Sequence, residues 1–99
     1  MPKVRISIEA EADIDEIAEY TTRAWGLRQT DAYLARLQEG FDLLVRNPLI
    51  GMRCDSLSSG LRRFNVEKHV VFYLQRTDGI LIVRVLHQRM LPLQSRFEA

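Results

Sequence analysis

The sequence predicts an α+β domain in which a helical hairpin packs on a four-stranded sheet, in the order β-α-α-β-β-β. Two long segments with apolar residues at spacings of three and four predict the helices. One short segment before them and three after them have the alternating or β-branched composition of strands. No linker or repeat divides the 99 residues, so we expect one domain, 1–99.

The first strand and the first helix follow each other without a loop. A strand with one buried face is predicted by residues that alternate with polar neighbours, namely Val4, Ile6 and Ile8. Ser7 can cap the helix, which is predicted from about residue 8 to residue 24. Gly26 suits the left-handed residue that follows a helix, so the helix is expected to end there.

The second helix is predicted from about Arg28 to Arg46. Its apolar stripe consists of Tyr33, Leu34, Leu37, Phe41, Leu44 and Val45. The connection between the helices is so short that they must pack as an antiparallel hairpin. Pro48 ends the second helix, and we assign Gly51 and residues 55–60 to a loop.

Three strands are predicted in the remaining sequence, at residues 61–66, 69–76 and 80–87. Thr77, Asp78 and Gly79 form a turn signal that predicts a hairpin between the last two. A tail from about residue 88 to the end has no predicted structure.

The last two strands are apolar on both faces. Alternation places Ile80, Ile82 and Leu86 on one face and Leu81, Val83 and Val85 on the other. In the preceding strand it opposes Val70, Phe72 and Leu74 to Val71 and Tyr73. Two helices cover only one face of such a sheet, so the other face must be covered by the tail, by a partner, or not at all. Uncovered apolar surface of this kind marks an interaction site.

Composition excludes several classes of protein. The hydrophobic fraction of 46% and the charged fraction of 27% are typical of a globular domain. No apolar run approaches the length of a membrane span, and the N-terminus lacks the layout of a signal peptide, so we expect a cytoplasmic protein that does not contact membranes. The single cysteine, Cys54, excludes an intrachain disulfide and a cysteine-based metal cluster.

Charge is unevenly distributed along the chain. Residues 1–49 contain six basic and nine acidic residues, whereas residues 50–99 contain eight basic and four acidic residues. Much of the acid lies between Glu9 and Glu19, which fits a solvated helix face with carboxylates near a helix N-terminus. The basic C-terminal half indicates an acidic partner, either a peptide or a nucleic acid.

Four segments carry a resemblance to the ParE family. They are Tyr20–Gly26 with Gln29 and Tyr33, then Asn47–Gly51, then Gly60–Phe64 with His69–Tyr73, and finally Asp78–Met90. The chain therefore resembles the RelE/ParE superfamily of toxins, which implies a mainly antiparallel sheet. It departs from the family pattern at Leu91, where many relatives have an acidic residue, and the contacts of the tail stay unassigned.

The resemblance implies a toxin of a type II toxin–antitoxin system that inhibits DNA gyrase by protein–protein contact. A ParD-like antitoxin would neutralise it and repress the shared operon, so operator DNA would be reached only through the antitoxin. No cofactor or metal is implied. An acidic, amphipathic antitoxin segment would suit both the basic half of the chain and the two-sided strands.

Two alternatives remain open. The same superfamily contains RelE-type ribonucleases, which resemble one another in supplying lysines, arginines and a C-terminal tyrosine to cut ribosome-bound mRNA. Here the last tyrosine is Tyr73, and the spacing of His69 and His87 gives no reason to place them together, so we expect no enzyme. The third alternative is a toxin fold that has lost its toxicity.

The candidate site residues fall into two sets. We expect the antitoxin to contact Trp25, Tyr33, Leu37 and Arg84. Trp25 can instead anchor the packing of the helix corner, and Arg84, a charge in an apolar strand, can instead form an internal salt bridge. Contacts with the target or with another anionic group are expected from Arg62, Arg63, His87 and Arg89.

Overall fold

The computed structural model describes residues 1–90 and Phe97, and it consists of two helices packed on one five-stranded sheet. The elements are β1 (Lys3–Ile6), α1 (Ile8–Trp25), α2 (Leu27–Arg46), β2 (Met52–Arg53), β3 (Arg62–Val66), β4 (His69–Arg76) and β5 (Gly79–His87). In this part of the chain neither helix is long and apolar enough to cross a membrane.

The sheet has the strand order β1-β5-β4-β3-β2, in which β1 runs parallel to β5 and all other pairs are antiparallel. The α+β class and the mainly antiparallel sheet are confirmed. The strand count differs, because the loop that we predicted after α2 contains the two-residue strand β2. Met52 and Arg53 pair with Arg63 and Arg62, so β2 only adds a short edge strand beside β3.

The predicted ends of the helices lie within one residue of the observed ones. Ser7 caps α1 through its hydroxyl oxygen, which accepts the Ala10 N–H at 3.0 Å. Gly26 has a φ of 90° and joins the helices directly, a conformation that a residue with a Cβ adopts only with strain. Ile8 was wrongly assigned to the first strand, since it begins α1 and is exposed.

A β-bulge in β5 changes which side chains face the helices. Phe72 pairs with Arg84 and Tyr73 pairs with Ile82, so Val83 stands outside the ladder. Beyond this extra residue the alternation is reversed. Val85 therefore joins Ile80 and Ile82 in the core beneath the hairpin, and Leu86 packs with Phe72 on the opposite face. Our assignment of Val85 and Leu86 to faces was wrong for this reason.

The face of the sheet that the helices leave open is covered by the chain itself. Leu61, Phe72 and Leu86 form a second buried cluster, with Leu57 and Phe97 packed against it. The rings of Phe72 and Phe97 have centroids 4.8 Å apart. Of the outcomes that we left open, cover by the tail is observed in part, through Phe97, whereas the cover by the loop before β3 is one that we did not consider. This sheet face is therefore not the uncovered interaction site that we inferred.

Candidate functional site

Three large apolar side chains are exposed at the turn between the helices. Tyr20, Trp25 and Leu27 lie in the last two turns of α1 and the first turn of α2, and we call them the hairpin tip. Trp25 is 71% exposed, so it is not the packing anchor that the sequence allowed. Tryptophan is a residue type that often contributes most of the binding energy at protein interfaces, and here it is exposed at a corner of the fold.

The corner beneath the hairpin tip is held by two threonine hydroxyls. Thr30 donates to the Gly26 carbonyl at 3.0 Å, and the Thr22 and Thr30 hydroxyl oxygens lie 2.8 Å apart. Because the Thr30 hydrogen is engaged by Gly26, Thr22 is the donor of this second bond. The hairpin tip is therefore a preformed surface.

Two residues that we expected on the antitoxin surface make their contacts within the chain instead. Leu37 is only 2% exposed and belongs to the core between the hairpin and the sheet, so its side chain is not accessible to a partner. The Tyr33 hydroxyl oxygen lies 2.5 Å from His69 Nδ1 and accepts the Lys68 N–H at 3.1 Å. Tyr33 thus ties α2 to the turn between β3 and β4.

The sheet brings His69 and His87 together, which their spacing did not predict. They are cross-strand partners on β4 and β5, with ring centroids 5.4 Å apart in a T-shaped arrangement. Burial, followed by the proximity of His87, lowers the pKa of His69 to about 4, although Asp13 acts in the opposite direction. His69 is therefore neutral at pH 7, and its Nδ1 shares a hydrogen bond with the Tyr33 hydroxyl.

Arg84 forms an internal ion pair, which is one of the two roles that we left open for it. Its Nε and Nη2 donate to the two carboxylate oxygens of Asp13, each at 2.8 Å. The two side chains are 18% and 10% exposed, respectively. The side-chain hydrogen bonding to Asp13 raises the pKa of Arg84. Asp13 also accepts the Val85 N–H at 2.9 Å. Asp13 thus links α1 to the bulge.

The residues expected to meet the target lie in two separate groups. Arg62 and Arg63 begin β3, whereas His87 ends β5, level with the last residue of β3, and Arg89 lies in the turn that follows. At about 3.3 Å per residue, the two groups are about 13 Å apart along the strands. Arg63 and Arg89 are exposed, but the Arg62 guanidinium is engaged within the chain.

Arg62 donates hydrogen bonds to the segment that runs from the end of α2 into β2. We had assigned this segment only as a helix end and loop. It exposes three apolar side chains, Leu49, Ile50 and Met52, which are 64%, 50% and 65% exposed and which we call the apolar ridge. Consecutive apolar residues after a proline were the available sequence signal, but exposure depends on contacts that only the fold provides.

Buried and half-buried side chains hold the backbone of the apolar ridge. The Tyr73 hydroxyl, which is buried, accepts the Gly51 N–H at 2.9 Å and donates to the Pro48 carbonyl at 2.8 Å. Arg62 Nη1 donates to the carbonyls of Gly51 at 2.7 Å and of Leu49 at 3.3 Å. A Cβ at Gly51 would lie 2.4 Å from the Tyr73 hydroxyl, so only glycine fits this approach.

Metal binding finds no support in residues 1–90 and Phe97, since no three His, Cys, Asp or Glu side chains converge there. Cys54 is half-buried, its Sγ lies 3.5 Å from the Leu61 carbonyl oxygen, and burial raises the pKa of its thiol.

The family of the chain follows from comparison with known proteins. Residues 4–92 match the family described as the ParE toxin of the type II toxin–antitoxin system parDE. The chain belongs to the ParE toxin family. It is accordingly a ParE-type toxin of a type II toxin–antitoxin system.

Named relatives agree with this assignment over most of the ParE domain. Toxin ParE1 of Mycobacterium tuberculosis is 40% identical over 86 residues, which are 86% of this chain and 88% of that protein. Toxin ParE1 of Caulobacter vibrioides is 37% identical over 90 residues, covering 91% and 93% of the two chains. Toxin ParE of Escherichia coli is 37% identical over 86 residues, covering 86% and 84%.

A solved structure shows the same fold. A chain described as the chromosomal ParDE TA system from P. aeruginosa superimposes with a TM-score of 0.75, covering 88% of this chain and 96% of that one. The sequence identity is 19%, so the likeness concerns the ParE fold alone.

Proposed function

We propose that this ParE toxin inhibits DNA gyrase in the cytoplasm by protein–protein contact. A ParD-like antitoxin binds the toxin, neutralises it and represses the operon, so the toxin meets operator DNA only through the antitoxin. The proposal goes beyond family membership in naming the target, the partner and a mechanism without catalysis.

The exposed hairpin tip is the observation that carries the binding mechanism. A tryptophan, a tyrosine and a leucine are exposed on a corner fixed by two threonine hydroxyls, which reduces the ordering cost of association. The antitoxin is proposed to dock here. Of the four residues first expected to contact it, Trp25 is the exposed one, since Leu37 is in the core and Tyr33 and Arg84 are partly buried and hydrogen-bonded within the chain.

The tyrosines support a mechanism without catalysis. Tyr73, the last tyrosine in the chain, is buried. Its hydroxyl donates one hydrogen bond to the backbone and accepts another, so it is not presented to a substrate. Burial also raises the pKa of Tyr73, which disfavours the tyrosinate form. A tyrosine in this state is poorly suited to proton transfer on RNA.

One observation favours the ribonuclease alternative, namely the pairing of His69 with His87 beside Tyr33. Two imidazoles close together are candidates for acid–base work on a ribose phosphate. His69, however, is neutral and hydrogen-bonded to Tyr33, which leaves His87 as the member of the pair not engaged by Tyr33. This alternative is therefore kept as the second candidate.

Two parallel assays separate the candidates. Purified toxin, freed of antitoxin, is added to gyrase with relaxed plasmid and to programmed ribosomes with mRNA. We expect supercoiling to be lost and the mRNA to stay intact. Cut mRNA with intact supercoiling would establish the ribonuclease, and no effect in either assay would leave a toxin fold without these activities.

Replacement of Trp25 by serine tests the proposed antitoxin surface. Loss of an exposed aromatic hot spot should raise the dissociation constant of the antitoxin complex about tenfold or more. Ile8→Ser is the matched control, because Ile8 is also exposed but lies at the other end of α1. Equal affinities of both variants and the original chain, measured by titration calorimetry, would remove the hairpin tip from the interface.

A further inference from the structure

The apolar ridge is a second exposed apolar surface, far from the hairpin tip. The 20 residues of α2 separate the two, and at 1.5 Å per residue the helix places them about 30 Å apart. A toxin that one protein neutralises and that acts on another has room for two separate recognition surfaces when two exposed apolar patches lie this far apart. The proposed antitoxin site accounts for only one of them.

More contacts hold the backbone of the apolar ridge than a connecting loop requires. A buried tyrosine hydroxyl, a half-buried arginine and a glycine that admits no side chain all hold residues 48–51 in place. Exposed apolar side chains on a fixed backbone are unfavourable in isolation and lose little entropy on binding. This combination is typical of a preorganised contact surface.

The charge around the ridge indicates the chemistry of its partner. Residues 46–63 contain four arginines and a single acidic residue, Asp55, whose carboxylate lies 2.7 Å from Arg53. Arg63, which is exposed, is the cross-strand partner of Met52. An apolar centre with a cationic border complements an apolar pocket bordered by carboxylates.

We infer that the apolar ridge is the surface with which the toxin grips its target protein, inserting Leu49, Ile50 and Met52 into an apolar pocket bordered by acidic side chains. This inference rests on the proposed function, because it assigns a surface to the inhibitory contact. It also separates the target surface from the antitoxin surface on the hairpin.

The test compares toxicity with antitoxin binding in the same variants. Leu49→Ser, Ile50→Ser and Met52→Ser are combined, which removes the apolar contacts while the Tyr73 and Arg62 hydrogen bonds to the backbone remain available. We expect growth arrest on induction to disappear and the toxin concentration for half-inhibition of gyrase to rise about tenfold or more. Affinity for the antitoxin encoded beside the toxin should be unchanged, which also shows that the variant is folded.

Two controls define the surface more narrowly. Ile8→Ser removes an exposed apolar side chain next to the opposite edge of the sheet and should remain toxic. Arg63→Glu should reduce toxicity through charge repulsion, whereas Lys3→Glu, on the opposite edge strand, should not.

Several outcomes would overturn the inference. A fully toxic triple variant would show that the ridge does not contact the target. Loss of antitoxin binding by that variant, with its fold intact by circular dichroism, would assign the ridge to the antitoxin, and conversion of a dimer to a monomer would assign it to a second copy. If the unmodified chain causes no growth arrest, the proposed function itself fails and this inference fails with it.

Discussion

Asp13 illustrates how much of the structure depends on single polar side chains. It belongs to an acidic stretch that resembles a solvated helix face, yet it faces inward, accepting three hydrogen bonds from Arg84 and Val85. The sequence did indicate this inward orientation, because Asp13 follows Ala10 by three residues and precedes Ile17 by four, and both of these are buried. A carboxylate at such a position requires a partner.

Replacement of Asp13 by alanine should destabilise the toxin by about 3–5 kcal/mol, because the half-buried Arg84 guanidinium would lose its counter-ion. Urea unfolding measures this loss. Asp15→Ala, which removes an exposed carboxylate from the same helix, should change stability by less than about 0.5 kcal/mol. Adding Arg84→Met to Asp13→Ala should restore much of the stability, and no recovery would mean that the ion pair is not the cause.

His69 should make stability depend on pH. Its pKa is about 4 in the folded protein and 6.5 when unperturbed, so the unfolded chain takes up a proton first as the pH falls. The contribution of His69 to the free energy of unfolding is therefore constant above about pH 6.5. It decreases as the pH falls toward about 4 and levels off below that. After discounting for partial exposure we expect a loss of about 1–2 kcal/mol.

The pH dependence is measured as the free energy of unfolding in urea between pH 4 and pH 7. His69→Gln lacks the titrating group, so the difference between the two curves isolates His69 from the carboxylates. Parallel curves would show that protonation of His69 does not oppose folding.

At the scale of elements, the sequence predicted regular structure well and irregular structure poorly. The strand at residues 69–76 was predicted with its observed ends, because β-branched and aromatic residues are bounded by turns. The bulge at Val83 was not predictable, since β5 is apolar on both faces and an extra residue leaves no gap in the pattern. The two-residue β2 depends on tertiary contacts with the start of β3.

Ser7 joins two elements and should be sensitive to substitution. Its hydroxyl accepts the Ala10 N–H and donates to the carbonyl of Val83, the residue that the bulge leaves outside the ladder, at 2.8 Å. Ser7→Ala should cost about 1–2 kcal/mol in urea unfolding, through loss of the helix cap and of a partner for that carbonyl. Ser7→Asn retains a donor and an acceptor and should recover part of the loss. Equal stability of the alanine variant would contradict a linking role.

For the molecule as a whole, the sequence identified the family and the core but not the accessible surface. The helical stripe that contains Leu37 correctly indicated burial, and our use of Leu37 as a partner contact ignored that signal. The exposure of Trp25 could not be predicted, because tryptophan is common in both packing and binding roles. The second face of the sheet was the other failure, since its cover comes from distant segments.

Substitution of Phe97 tests whether this residue covers the second face of the sheet. Phe97→Ala should expose Phe72 and lower the free energy of unfolding by about 1–2 kcal/mol, less than for a fully buried phenylalanine. Binding of an apolar fluorescent dye should rise at the same time. Phe97→Leu, which keeps most of the apolar contact, serves as the control, and unchanged melting and dye binding in the alanine variant would contradict the contact.

The place of β5 in the sheet has a consequence for how the toxin is synthesised. β5 is the last strand of the described residues, but it lies between β1 and β4 and contributes Ile80, Ile82 and Val85 to the core. During vectorial translation β1 has no neighbour to pair with until residues 79–82 have left the ribosome. A nascent chain interrupted before β5 therefore lacks the central strand of the sheet, so the core beneath the hairpin forms only after residues 79–87 have been synthesised.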